Sequence, residues 1–139
     1  MNASFEEKRV WVQLVGTIAG IGGYLYVALH MFAEGVDALP AYAAVFMVAV
    51  GLMVAILVLG HILAAVTGRV EQRDERDRLI EWRSESNSGW VLAVGIFSAI
   101  TCMLFSISNV LVAHLLILTL FAATLMQYAF QILYYRRGM

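Results

Sequence analysis

The sequence predicts an all-α, polytopic membrane protein with four transmembrane helices. An apolar composition, four long apolar stretches and a one-sided distribution of Lys and Arg lead to this prediction. Of the 139 residues, 62% are apolar and 14% are charged, and the mean hydropathy is +0.82. A water-soluble domain of this size could not bury so many apolar side chains, because small folds leave much of their surface in water. We therefore expect the lipid bilayer to be part of the solvent of this protein.

Four apolar stretches are each long enough to cross the hydrocarbon core of a bilayer, because about 20 helical residues span its roughly 30 Å. The predicted spans are residues 10–32, 41–67, 89–106 and 110–135. Helices are expected because lipid offers no partner to backbone groups and the stretches lack a strand-like alternation of polar and apolar residues. All four spans belong to one domain, residues 1–139, with a charged loop at residues 69–88 between the second and third spans.

Basic residues at the ends of the spans orient the predicted helices. Lys8 and Arg9 precede the first span, the segment 69–83 holds five arginines, and Arg136 and Arg137 follow the last span. The other two loops contain no Lys or Arg. Because Lys and Arg concentrate in cytoplasmic loops, the sequence predicts an N-in/C-in cell-membrane protein with the charged loop in the cytoplasm.

Three glycines of the first span, Gly16, Gly20 and Gly23, lie four and three residues apart. This spacing predicts one helix face without side chains, which lets another helix approach closely enough for van der Waals packing. The contact belongs either to the packing of this chain on itself or to a homo-oligomer, and the sequence leaves both open.

Four polar residues inside the predicted spans are candidates for a functional role: Gln13, His61, Gln127 and Gln131. His61 and Gln127 have similar predicted depths below the cytoplasmic surface, so we expect them to approach each other. These residues either form interhelical hydrogen bonds that fix the packing or line a substrate or proton path. Asp, Glu, Lys and Arg are absent from the hydrophobic core of every predicted span, which disfavours a proton-coupled antiporter.

The candidate residues for a metal site lie near the predicted outer surface of the membrane. Two histidines and a carboxylate can bind zinc or copper, and His30, Glu34 and His114 lie near that surface. Their spacing matches no ligand motif and the histidines belong to different predicted helices. We therefore predict no metal and no cofactor.

Several functional classes are disfavoured by what the chain lacks. It has no phosphate-binding loop and no embedded pair of nucleophile and base, so we do not expect an enzyme. Its single cysteine, Cys102, allows no intrachain disulfide. A net charge of −1 gives no basic field for direct nucleic-acid binding.

The charged segment between the second and third spans is the main candidate for partner binding. It has charges of both signs, with Asp74 and Arg78 four residues apart, a spacing that supports a solvated helix. We expect one of the adjoining membrane helices to extend through residues 71–85. The predicted partner-binding residues are Arg73, Asp74, Glu75, Arg76, Asp77 and Arg78. A solvated connector without a partner is the alternative for such a segment.

The residues 4–9, the run 73–80 and the start of the third span at Gly89 and Trp90 resemble an uncharacterised family of small four-helix prokaryotic membrane proteins. The most specific part of this resemblance is the run Asp-Glu-Arg-Asp at residues 74–77. It implies an association with small helix-turn-helix regulators and hence a regulatory or signalling partnership. The chain departs from the family pattern at residues 84–88, where a more regular charged helix is expected.

The preferred functional hypothesis is a non-enzymatic regulatory or signalling membrane protein. Its charged segment would bind a soluble cytoplasmic protein, and further copies of the chain would form a homo-oligomer. The alternative is a small oligomeric transporter or channel built around His61 and Gln127.

Overall fold

The computed structural model describes residues 5–67 and 74–137, and within these ranges the chain is helical except for short turns. Four helices are long and apolar enough to cross a membrane: Glu6–Ala33, Leu39–Val66, Glu75–Leu104 and Asn109–Arg137. The predicted all-α class and the four helices of spanning length are confirmed.

The first of these helices has an irregular turn in its middle. It consists of α1 (Phe5–Thr17), a π-helical turn (Ile18–Gly22) and α2 (Gly23–Ala33), which together form the α1–α2 rod. A π-helical turn widens the hydrogen-bond spacing to i→i+5. Residues after the turn are therefore rotated relative to the face that a regular α-helix would present.

The second long helix packs along the rod through glycines on both partners. It consists of a 3₁₀ turn (Leu39–Tyr42), with Pro40 in its first turn, and α3 (Ala43–Thr67). A Cβ atom on Gly20 would overlap the Met53 side chain of α3, and one on Gly60 of α3 would overlap Val12. The absence of side chains at these positions sets the distance between the two helices, as expected for close packing in lipid.

The predicted glycine face is therefore divided. Gly16 and Gly20 face α3, and a Cβ atom on Gly16 would stand 3.0 Å from Leu57 Cδ2. Gly23 has no atom within 4 Å of its Cβ position and lies outside this contact. The π-helical turn between Gly16 and Gly23 breaks the regular spacing on which the prediction relied.

The third and fourth long helices, α4 (Glu75–Leu104) and α5 (Asn109–Arg137), form the most extensive helix pair. A Cβ atom on Gly95 of α4 would overlap Thr119 of α5. The rod lies between α3 and α5, whereas α3 has no extensive contact with α4 or α5 among the described residues. The four helices therefore follow the spatial order α3, rod, α5, α4.

Helix α4 contains most of the stretch that the sequence analysis assigned to a charged loop. It runs without interruption from Glu75, so one membrane-length helix extends through the charged segment. Residues 84–88, where the sequence departs from the family pattern, are also part of this helix. The Ser84 hydroxyl donates to Glu81 O at 2.8 Å and the Ser88 hydroxyl donates to Glu85 O at 3.0 Å, so both serines satisfy their polar groups within the helix.

Candidate functional site

The start of α4 is fixed by a reciprocal hydrogen-bonded cap. The Asp74 carboxylate accepts from the Glu75 amide at 2.7 Å, and the Asp77 carboxylate accepts from the Asp74 amide at 3.2 Å. Such a capping box satisfies amide groups that have no partner inside the helix. The charged first part of α4 is therefore a well-defined helix rather than an irregular connector.

This part of α4 has a buried face and an exposed face. Ile80 and Ser84 are 2% and 0% exposed, and they anchor the helix to the rest of the bundle. On the opposite side, Leu79 is 48% exposed and Trp82 is 67% exposed. The sequence analysis did not identify this apolar pair. Its signal is the helical spacing, which places Leu79 and Trp82 on a different face of the helix from Ile80 and Ser84.

The predicted partner-binding residues lie in different environments. Glu75, Arg76 and Arg78 are exposed, whereas Asp77 is half-buried and contributes to the cap. Asp74 is exposed and is the N-cap residue. Arg73 lies outside the described residues.

A polar crevice lies between α1, α4 and α5 at the charged end of the bundle. It has a volume of about 30 Å³, and its polar walls include Glu6, Gln13, Asp77, Glu81, Gln131 and Tyr135. The Arg9 guanidinium also lines the crevice and binds both oxygens of the Glu6 carboxylate, at 3.0 and 3.2 Å. The structure thus brings together two of the predicted intramembrane polar residues, Gln13 and Gln131.

Contacts at the same end join α1, α4 and α5. The Arg136 side chain lies 3.6 Å from a Glu7 carboxylate oxygen and 5.9 Å from the centre of the Trp11 ring. The Asn87 amide donates to the Tyr134 hydroxyl at 2.9 Å, which links α4 to α5. The ion pair is exposed on its Arg136 side and adds little to stability, but the three contacts define how the helix ends sit together.

The predicted pair of His61 and Gln127 remains a prediction. His61 is half-buried on α3, and its ring Nδ1 lies 2.6 Å from Leu57 O. A carbonyl oxygen can only accept, so Nδ1 carries a proton. Helix α3 packs along the rod rather than along α5, which carries Gln127. The transporter alternative therefore also remains a prediction.

An aromatic cluster near the opposite end of the bundle was missed by the sequence analysis. The Tyr24 hydroxyl and His114 Nε2 are 3.0 Å apart, and His114 Nδ1 lies 2.7 Å from Val110 O. Because Nδ1 donates to the carbonyl, Nε2 accepts from Tyr24. The Tyr42 ring packs against His114 at 4.6 Å, so the cluster joins α2, the 3₁₀ turn and α5.

The residues considered for a metal site do not come together. Both ring nitrogens of His114 are engaged in hydrogen bonds, and His30 is exposed and packs edge-on against Tyr26 at 4.8 Å. Within residues 5–67 and 74–137, no group of three or more His, Cys, Asp or Glu side chains is arranged to hold a metal ion.

Comparison with known proteins found no relative of this chain. A scan against family models, a search of curated proteins and a search of solved structures each found no match to this chain. The fold and the site therefore define a structural class, an all-helical chain with four helices of membrane-spanning length and an amphipathic charged extension. The family resemblance of the sequence remains a prediction.

Proposed function

We propose that this chain is a multi-pass cell-membrane protein whose α4 extension is a docking helix for a soluble cytoplasmic protein, in a regulatory or signalling role. Both termini and the extension lie in the cytoplasm. The observation that carries the proposal is the exposed pair of Leu79 and Trp82 on an anchored, capped helix.

The position of Trp82 along α4 argues against a role as a lipid anchor. The apolar part of α4 begins near Trp90, and Trp82 lies eight residues earlier, which is about 12 Å along a helix. The interfacial layer on each side of the hydrocarbon is only about 5–7 Å thick. With the axis of α4 close to the membrane normal, Trp82 therefore lies beyond the lipid headgroups. Its exposed ring is available there to a protein.

The charges of the extension support a partner whose rim carries charges of both signs around an apolar centre. Asp77 and Glu81 are half-buried at the crevice, whereas Arg76, Arg78 and Arg83 are exposed. Asp74, Glu75 and Glu85 are also exposed, so exposed charges of both signs surround the apolar pair. Trp and Arg dominate the energetics of many interfaces, particularly where Trp fills an apolar pocket, and complementary charge speeds association.

Site-specific photocrosslinking in intact cells tests the proposal. A benzophenone side chain at position 82 should crosslink to a soluble protein, and the same group at position 90 should crosslink mainly to lipid. The captured protein is then purified and its affinity for the full-length protein in nanodiscs is measured. Trp82→Ala should weaken binding about 30-fold, as expected for the loss of about 2 kcal/mol at an interface hot spot.

Phe97→Ala is the matched control, because Phe97 is an exposed aromatic residue of α4 within the predicted hydrocarbon region. It should leave the affinity unchanged. Replacing Arg76 and Arg78 by Glu should slow association, with a smaller effect at high salt. Lipid adducts alone from position 82, or equal effects of the Trp82 and Phe97 substitutions, would refute the proposed docking helix.

A further inference from the structure

The exposed side of α1 changes from basic to apolar along the helix. Lys8, Trp11 and Val15 are all exposed, and spacings of three and four residues place them on one helix face. Gln13 lines the polar crevice and Gly16 faces α3, so the packed sides of α1 lie elsewhere. Lys8, Trp11 and Val15, which we call the α1 strip, therefore face the surroundings of the protein.

The last turn of α5 adds a second basic side chain beside this strip. The Arg136 guanidinium carbon lies 5.9 Å from the centre of the Trp11 ring. Arg136 Nε lies 3.6 Å from a carboxylate oxygen of Glu7, and the Arg136 side chain is still 63% exposed. A guanidinium has five N–H donors, so most of the Arg136 donors remain available to an acceptor outside the protein.

The exposed charges in the first turn of α1 and the last turn of α5 are positive. Lys8, Arg136 and Arg137 are exposed, whereas the carboxylates Glu6 and Glu7 are half-buried. Lys8 has no hydrogen bond or ion pair to another residue that the structure describes. The basic end of the α1 strip therefore complements an anionic group.

Depth in the bilayer orders these residues in the same way as the parts of a phospholipid. The helical rise places Lys8 about 5 Å nearer the membrane surface than Trp11, and Val15 about 6 Å deeper than Trp11. Lys and Arg extend toward the headgroups, Trp prefers the interface, and apolar side chains contact the acyl chains. Cations at the headgroup level attract anionic lipids, so the α1 strip and Arg136 match one phospholipid with a negatively charged headgroup.

We propose that the α1 strip and Arg136 form a binding site for one anionic phospholipid. Lys8 and Arg136 bind its phosphate, and Trp11 and Val15 pack against its acyl chain. This proposal rests on the insertion of the chain into a membrane, which is part of the proposed function, but it depends neither on a docking partner nor on the orientation of the helices.

Quenching of tryptophan fluorescence by brominated lipids tests the site. The full-length protein with Trp82→Phe and Trp90→Phe keeps Trp11 alone and is placed in nanodiscs of phosphatidylglycerol in an excess of phosphatidylcholine. Bromine is carried on the acyl chains of either the phosphatidylglycerol or an equal amount of the phosphatidylcholine, so the lipid composition stays constant. The quenching should show phosphatidylglycerol enriched beside Trp11 about five-fold, the preference that one basic residue near an anionic membrane surface provides.

A second protein that keeps Trp90 alone is the matched control for the position of the tryptophan. Trp90 is exposed at the start of the apolar part of α4, and residues 86–94 contain no Lys or Arg. Both brominated lipids should quench it about equally. Because this quenching reports insertion into the bilayer, it distinguishes failure of the lipid site from failure of insertion.

Three substitutions in the protein with Trp11 alone identify the ligands of the phosphate. Lys8→Gln and Arg136→Gln should each lower the enrichment of phosphatidylglycerol, and together they should abolish it. Arg78→Gln removes the same charge from an exposed position that lies 12 residues before Trp90, about 18 Å along α4, and it should leave the enrichment unchanged. Lys8 has no partner among the described residues, so Lys8→Gln remains a valid test if Arg136→Gln disturbs the packing of Trp11.

Four results would overturn the proposal. Equal quenching of Trp11 by the two brominated lipids would show that the site does not select an anionic headgroup. The same enrichment at Trp90 would show a general attraction of phosphatidylglycerol to the protein, and an unchanged enrichment in the double variant would exclude Lys8 and Arg136 as ligands. Quenching of Trp90 without quenching of Trp11 would show that protein, such as a second copy of the chain, covers the α1 strip.

Discussion

Alanine substitutions at Gly20 and Gly23 should have opposite effects on stability, although the two residues are three positions apart on the same rod. A Cβ atom on Gly20 would overlap Met53 Cβ and would stand 3.1 Å from Ala49 O, a backbone atom of α3 that cannot rotate away. The rod and α3 must therefore separate in Gly20→Ala. The Cβ position of Gly23 has no neighbour within 4 Å, so Gly23→Ala requires no movement.

The expected magnitudes follow from two terms. Replacing a helical glycine by alanine stabilises a helix by about 0.5–1 kcal/mol, and overpacking a close contact costs about 1–3 kcal/mol. Only the first term applies at Gly23, whereas both apply at Gly20. The free energy of unfolding of Gly20→Ala should therefore be about 1–3 kcal/mol below that of Gly23→Ala, since the helix term cancels in this difference.

Equilibrium unfolding by SDS in mixed micelles, followed by circular dichroism, measures this difference. Size-exclusion chromatography of the same samples checks that the oligomeric state is unchanged, so that the effect reports packing within the chain. Equal free energies of unfolding for the two variants, or a greater loss at Gly23, would refute the assignment of Gly20 to the contact with α3.

Three further predictions concern the cap, the aromatic cluster and the α4 extension. Asp74→Ala should cost about 1 kcal/mol and speed amide hydrogen exchange in the first turn of α4; unchanged exchange would contradict the cap. Tyr24→Phe should lower the free energy of unfolding by about 1–3 kcal/mol, because His114 Nε2 loses its donor; an unchanged value would contradict that hydrogen bond. Ile80→Ala should cost about 2–4 kcal/mol, whereas Trp82→Ala should change stability little; comparable losses would contradict the assignment of buried and exposed faces.

The four helices could be predicted from the sequence because the hydropathy of a segment depends only on its own residues and not on its contacts in the fold. Each predicted span overlaps one of the helices of membrane-spanning length. The start of α4 at Glu75 was harder to place, because charged residues suit a solvated loop and a solvated helix equally well. The signal that distinguishes them is the pair Asp74 and Asp77 at capping-box spacing.

The arrangement of side chains was less accessible to sequence reasoning. Tyr24 and His114 are 90 residues apart, and no local pattern indicates that they meet. The divided glycine face depends on the π-helical turn at Ile18–Gly22, which periodicity analysis with regular helical spacing does not detect. Gln13 and Gln131 were predicted as polar residues within the membrane spans, but their common crevice follows from how α1 packs on α5.

Cysteine accessibility in cells tests the central claim, that the α4 extension is a cytoplasmic helix with one exposed face. In a Cys102→Ser background, single cysteines replace Asp37, Ile80 and Trp82, and a membrane-impermeant maleimide is added before or after permeabilisation. Cysteine at Asp37 should react with intact cells, cysteine at Trp82 should react only after permeabilisation, and cysteine at the buried Ile80 should react slowly in both conditions. Labelling at Trp82 in intact cells, or faster labelling at Ile80 than at Trp82 after permeabilisation, would contradict the account.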